Sequence, residues 1–255
     1  MSKIAEAFKN KKAFVGFLTA GDPSLEKTEE YILTMEKAGA AVIEIGIPFS
    51  DPIAETPVVQ EANVRALSAE GGCTTDMIFA MLERIKDKVT VPLVLMTYLN
   101  PIFKFGYDAF MNRCHETGVN GIIIPDMPFD EKNEILPFAE KHGVEIISLV
   151  APASKSRIQM IAREAKGYIY VLPSLNAADG RNDVVTDISG IVAEIRQVTD
   201  TPVILEIGVN YPEAEYETIA DGFVVENAIV NLIAEHGKDA AQPIYEYVKQ
   251  TVENL

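Results

Sequence analysis

The sequence has no tryptophan, only two cysteines and only three histidines in 255 residues. Cys73 and Cys114 stand far apart, outside any CxxC pair and away from paired histidines. That argues against a zinc site and a disulfide framework, and leaves two reduced thiols. His115, His142 and His236 fall in or beside stretches with outer-helix character, so they are expected at the surface with no catalytic part. Positive charge is scarce too: 22 Lys and Arg face 38 Asp and Glu, for a net charge of −16. A nucleic-acid or anionic-membrane surface needs a basic patch, so neither partner is expected, and the acidic excess serves solubility. No apolar run approaches the ~18 residues of a membrane span. The opening MSKIAEAFKNKKAF lacks the apolar core of a signal peptide, so a cytoplasmic location is expected. Nothing in the chain calls for a metal or a cofactor.

What is present is a regular alternation. Apolar, β-rich runs at 13–21, 41–46, 91–98, 121–126, 145–150, 168–172, 202–208 and 222–225 read as strands. Between them lie amphipathic stretches at 24–38, 74–87, 106–117, 130–142, 154–165, 188–198 and 212–219, with further helix after 225. Ser24 is placed to cap the first of these helices, with Glu at the third helical position. Strands that are apolar throughout belong to parallel sheets covered on both faces. Eight of them alternating with helices predict a (β/α)8 TIM barrel, a single α/β domain over 1–255. An open doubly wound sheet would show GxGxxG after its first strand, and TAGDPS at 19–24 is not that motif.

In such a barrel the working residues lie at the C-terminal ends of the strands. Glu44 stands inside the apolar run AAVIEIG. Desolvation there would raise its pKa and suit it to acid–base chemistry near neutral pH, unless it only bonds a neighbouring strand. The segment GIPFSDPIAETPVVQEAN that follows reads as a loop stiffened by Pro48, Pro52 and Pro57. It supplies Asp51 and Glu55, so Glu44 with Glu55 forms a candidate carboxylate pair.

FLTAGDPS, IEIGIPFSDPIAE, MTYLNPIFKFG and GIIIPDMPF together resemble the tryptophan synthase alpha chain, from Phe14 to about Gly237. The resemblance implies a lyase that cleaves indole-3-glycerol phosphate to indole and glyceraldehyde 3-phosphate, needs no cofactor of its own, and works beside a pyridoxal-phosphate beta chain. It assigns Glu44 as the general acid–base residue, Glu55 as the carboxylate that holds the indole N–H, and Tyr170 as a further catalytic residue. It places Phe17, Tyr98, Phe103, Asp126, Gly208 and Asn227 around the substrate, although Phe103 reads equally well as core packing. Thr56 stands where the family has a glycine, and a β-branched residue there would resist a positive φ.

The sequence departs from the family at three places, all on the substrate shell. In PSLNAADG at 173–180, Asn176, Ala178 and Asp179 replace the glycine, threonine and glycine of the family loop. In EIGV at 206–209, Gly208 survives but Glu206 brings a charge. In ENAIV at 226–230, Glu226 replaces a glycine at the phosphate turn. One carboxylate about 5 Å from one phosphate charge costs roughly 3 kcal/mol at an effective dielectric of ~20. Three of them against a dianion would cost well over ~5 kcal/mol. The family reaction is therefore expected to be impaired. The alternative is a repurposed or engineered barrel in which Glu44, Glu206 or Glu226 serves as buried base on an unphosphorylated aromatic substrate, as in a Kemp-type elimination. A third reading is a non-catalytic partner subunit.

Overall fold

The computed structural model describes residues 2–9, 11–172, 187–206 and 218–255. Among these residues nine strands run β1 (Ala13–Thr19), β2 (Val42–Gly46), β3 (Leu93–Met96), β4 (Val119–Ile123), β5 (Glu145–Ile146), β6 (Ser148–Val150), β7 (Ile169–Val171), β8 (Val203–Glu206) and β9 (Gly222–Val225). Their order in the sheet is β5-β4-β3-β2-β1-β9-β8-β7-β6, and every pairing is parallel. The two outer members, β5 and β6, are consecutive in the chain and separated only by Ile147. Its N–H donates to Ile122 O at 2.9 Å. They are two halves of one strand, broken at Ile147, and the sheet closes on itself as an eight-stranded barrel.

Side chains alternate between the two faces of each strand. Val15, Phe17, Val42, Val94, Tyr168, Tyr170, Ile204 and Val224 fill the inside. Phe14, Leu18, Ile43, Ile45, Leu93 and Leu95 point outward into the layer shared with the helices. Gly16 belongs to this close packing, since a Cβ there would come within 2.8 Å of Met35 Sδ on the first long helix. That helix, Leu25–Ala38, starts where the sequence places it, and Ser24 Oγ accepts from Lys27 N.

Three predicted elements differ. Residues 130–142 form a 3-10 turn, Phe129–Glu134, followed by an α-helix at Leu136–His142. Residues 154–165 likewise divide into Pro152–Arg157 and Ile158–Arg163. Pro137 in the first turn of Leu136–His142 removes one donor and favours a fresh beginning there, and Pro152 opens the turn Pro152–Arg157. The segment read as a loop after β2 contains a helix, Pro57–Ser68. Thr56 caps it with φ −67° and its hydroxyl accepts from Val59 N, while Pro57 sits at the first turn. The expectation that a threonine here would be strained is overturned: the position needs an extended residue with a side-chain acceptor, and threonine supplies both. A further helix, Leu99–Phe105, follows β3. The predicted helix at 212–219 lies almost wholly outside the described residues.

Candidate active site

Glu44 occupies the middle of β2, in register with Phe17 on β1 and Val94 on β3. It is 0 % exposed. Tyr168 Oη donates to its Oε1 at 2.5 Å, and Oε2 has no partner among the described residues. Burial pushes its pKa up to about 7, while the Tyr168 hydrogen bond pulls it down and the nearby Glu206 pushes it up again. The carboxyl is thus poised between acid and base at neutral pH, with one free oxygen facing the barrel interior.

Glu55 comes to the same end of the barrel from the start of the helix after β2. Asn63, about two turns further along on that helix's inner side and 3 % exposed, donates from Nδ2 to Glu55 Oε2. Burial raises Glu55 to about 6, and hydrogen bonds from Asn63 and Tyr98 hold it from going higher. Tyr98 Oη also accepts from the N–H groups of Ile53 and Ala54 at 3.1 and 3.2 Å, which fastens the segment carrying Glu55 to the end of β3. Its phenol is pushed up to about 12, first by burial.

Glu206 ends β8 in register with Val224 of β9, and Glu226 follows two residues later on the same inner face. Glu226 occupies the cap position of the helix Asn227–His236, yet its side chain caps nothing. It turns inward and accepts from Tyr170 Oη at 3.2 Å. Burial holds its pKa well above the ordinary carboxylate range, and the charges of Glu206 and Glu44 add to this. Burial also raises Glu206. Among the described residues, the barrel interior therefore carries three neighbouring carboxyls: Glu44 on β2, Glu206 on β8 and Glu226 just after β9.

The remaining expected site residues take different places. Phe17 is buried inside the barrel, its ring against Gly46, where a Cβ would meet Phe17 Cζ at 2.8 Å. Asp126 Oδ1 accepts from Leu99 N at 2.9 Å, so it caps the helix after β3 as well as lining the cavity beside it. Asn227 Oδ1 accepts from Thr56 Oγ1 at 2.6 Å, which ties the starts of two helices together. Phe103 is 68 % exposed, so neither the pocket wall nor the core accounts for it. It sits on the outer side of a short helix with its ring against Tyr107. Gly208, Asn176, Ala178 and Asp179 lie outside the described residues.

Two residues of the site went unread in the sequence. Tyr168 is two positions before Tyr170, so strand alternation already puts both on one face. Asn63 required the helix at Pro57–Ser68 to be recognised first. Beside these groups lies a cavity of about 240 Å³, whose walls combine apolar Ile124, Ile147, Leu149 and Leu172 with the charged Asp126, Lys132 and Arg157. It is apolar enough and large enough for a flat bicyclic group. None of the three interior glutamates lines it. It adjoins them through Leu149, which is in register with Tyr170, and through Leu172 beyond it.

The geometry stands in known company. The family model for the tryptophan synthase alpha chain matches residues 4–254. The chain is 42 % identical to the tryptophan synthase alpha chain of Lacticaseibacillus casei, over 98 % of this chain and 94 % of that one. It is 41 % identical to that of Lactiplantibacillus plantarum, over 92 % and 90 %. Among solved structures, tryptophan synthase subunit alpha from Legionella pneumophila superposes with a TM-score of 0.87 at 32 % identity, with all of both chains covered. A chain of the tryptophan synthase complex from Pyrococcus furiosus superposes with 0.81 at 29 % identity, covering 93 % of this chain and 96 % of that one. With the closed parallel barrel and Glu44 at its centre, these likenesses settle the family: the chain belongs to the tryptophan synthase alpha chains.

Proposed function

We propose that the chain is a carbon–carbon lyase of the alpha-chain type, acting on an indole that carries a hydroxylated side chain at ring carbon 3. The observation that carries this reading is the state of Glu44: fully buried, one oxygen held by Tyr168, the other free, and the acid balanced near pH 7. A group in that state can give a proton and take one back within a single turnover.

The steps balance as follows. The Glu44 carboxyl protonates ring carbon 3, while the Glu55 carboxylate accepts the hydrogen bond, and then the proton, of the ring N–H. Glu44, now a carboxylate, takes the proton of the hydroxyl on the adjoining side-chain carbon. The bond between ring carbon 3 and that carbon breaks, its electrons return to the ring, and Glu55 gives the N–H proton back. An indole and an aldehyde leave. Asn63 and Tyr98 keep Glu55 in place and ionisable. Tyr170 acts by holding Glu226.

A phosphate on the side chain is disfavoured. Glu206 and Glu226 stand where the family resemblance puts the phosphate end, and a dianion there would meet carboxyls in place of backbone N–H groups. Ile53, 71 % exposed on the segment after β2, gives that side an apolar point of the kind that a beta chain would cover. The test is release of indole by the purified protein from indole-3-glycerol and from its phosphate ester. Release from the unphosphorylated compound, equal to or above that from the ester, is expected. No indole from either compound, with and without an added beta chain, would overturn the lyase reading.

A further inference from the structure

We propose that the end of this site formed by Glu206 and Glu226 receives an ammonium group, so that the chain binds flat aromatic molecules carrying an alkylammonium arm, of the indolyl-ethylamine class, in place of phosphate esters. The inference rests on the barrel mouth being the substrate site, as in the reading above.

Four observations carry it. Glu206 ends β8, and Glu226 directly follows the adjacent parallel strand β9, two residues beyond the Val224 that pairs with Glu206, so both belong to the same inner face. Glu226 leaves the first N–H groups of its own helix and turns to Tyr170, so its carboxyl faces the interior. Independently, Glu44 Oε2 is a fully buried acceptor with no partner among the described residues, inside the same ring of strands and close enough for its charge to act on Glu226. Lastly, the cavity of about 240 Å³ begins beside Tyr170, at Leu149 and Leu172. A bicyclic ring seated there would direct its ammonium arm past Leu149 and Tyr170, on the side of the barrel interior where Tyr170 meets Glu226.

The electrostatics favour a cation. The titratable groups that act on Glu226 are Glu206 on β8, Glu44 on β2, Glu55 after β2 and Tyr170 on β7. Those that act on Glu44 are Tyr168 and Glu206. Among the described residues these are all acidic or phenolic, and the two cations on the wall of the neighbouring cavity, Lys132 and Arg157, are already paired with Glu164 and Asp130. Gathering carboxyls in a low-dielectric interior is costly unless a positive charge compensates them. An ammonium supplies three donors and one charge, which matches two carboxylates and leaves the Tyr170 hydrogen bond intact. No group of three His, Cys, Asp or Glu among the described residues is arranged to hold a metal ion, so an organic cation fits better than an inorganic one. Burial raises the pKa of both carboxyls, and the charge of Glu206 raises Glu226 further, whereas a bound ammonium favours the charged forms and would release protons.

The chain's lack of tryptophan makes the test direct, because an indole ligand is the only indole fluorophore in the sample. Tryptamine, indole-3-propanol and indole-3-propanol phosphate would each be titrated with the intact chain between about pH 6 and about pH 8, where an alkylamine stays protonated. Tryptamine is expected to bind at least roughly tenfold more tightly than the neutral alcohol, and the phosphate more weakly than either. Its binding should tighten as pH rises, with protons released to the buffer. The double variant Glu206→Gln, Glu226→Gln should lose that advantage while keeping the wild-type circular dichroism spectrum. Equal binding of alcohol and amine, preference for the phosphate, or binding without proton release in the unmutated chain would each overturn the proposal, whether or not the variant folds. Amine binding without any indole release would leave this inference standing and remove the lyase reading. Indole release without amine binding would do the reverse.

Discussion

Tyr168 and Glu44, 124 residues apart in the chain, share a hydrogen bond of 2.5 Å across the barrel interior. The phenol immediately precedes β7 and the carboxyl lies on β2, with β1, β9 and β8 between those strands in the ring. The bond favours the charged form of Glu44 and partly offsets the effect of its burial. Tyr168→Phe should therefore raise the Glu44 pKa above about 7 and move the corresponding limb of the pH–rate profile to higher pH. A variant that loses rate with no shift of that limb would place Tyr168 in packing alone.

The stability of the chain should fall as pH rises through the neutral range. The sign follows from the raised carboxyls. Glu44, Glu206 and Glu226 hold protons in the folded state at pH values where the unfolded chain has released them. Their contribution is intact below the unfolded pKa of about 4.5 and is lost as pH rises through the folded values, which for Glu44 means by about 7. Glu44 alone accounts for roughly 3 kcal/mol between those limits. Urea unfolding at about pH 5.5 and about pH 8 should show the chain more stable at the lower pH, and Glu226→Gln should flatten the difference. A rise in stability with pH would contradict the account.

Asn63→Ala removes the donor that Glu55 faces at its Oε2. The Glu55 pKa should rise from about 6, because the lost bond favoured the charged form. The cost in stability should be about 1–3 kcal/mol, that of a broken hydrogen bond to a buried charged group. Chemical denaturation gives the stability change, and the acid limb of the pH–rate profile gives the shift.

Asp22 is 2 % exposed and takes a paired hydrogen bond from Arg65 at 3.0 and 2.8 Å. The pair joins the end of β1 to the helix that carries Asn63. Arg65→Ala leaves the Asp22 carboxylate buried without its partner and should cost about 2–3 kcal/mol, toward the lower end for buried pairs because Arg65 is partly exposed. The double variant with Asp22→Asn should recover part of that loss, which a double-mutant cycle would read directly.

Much of this fold is written in local pattern. The apolar runs around Val42–Gly46 and Gly222–Val225 could only be covered strands, and Glu44 stood out because it broke one of them. The pattern failed where two signals competed. The prolines of 48–57 spoke for a loop, although Thr56-Pro57 followed by buried residues at 59, 62 and 66 has the cap, first-turn proline and spacing of a helix. The break at Ile147 left no trace in EIISLV, because strand propensity does not record where a closing barrel interrupts its ladder. Phe103 was misplaced because a large apolar residue outside the core has the same letter as one inside it. The Tyr168–Glu44 contact was beyond reach in sequence, since it depends on which strands face each other across the closed ring.

The most direct test of the account is indole release from indole-3-glycerol by the unmutated chain and by Glu44→Gln, measured together across pH. Glutamine keeps the shape and the Tyr168 hydrogen bond but cannot exchange a proton. The account predicts that the unmutated chain releases indole with a pH dependence centred near the Glu44 value of about 7, and that Glu44→Gln falls at least ~100-fold without loss of fold. Undiminished release by Glu44→Gln would contradict it.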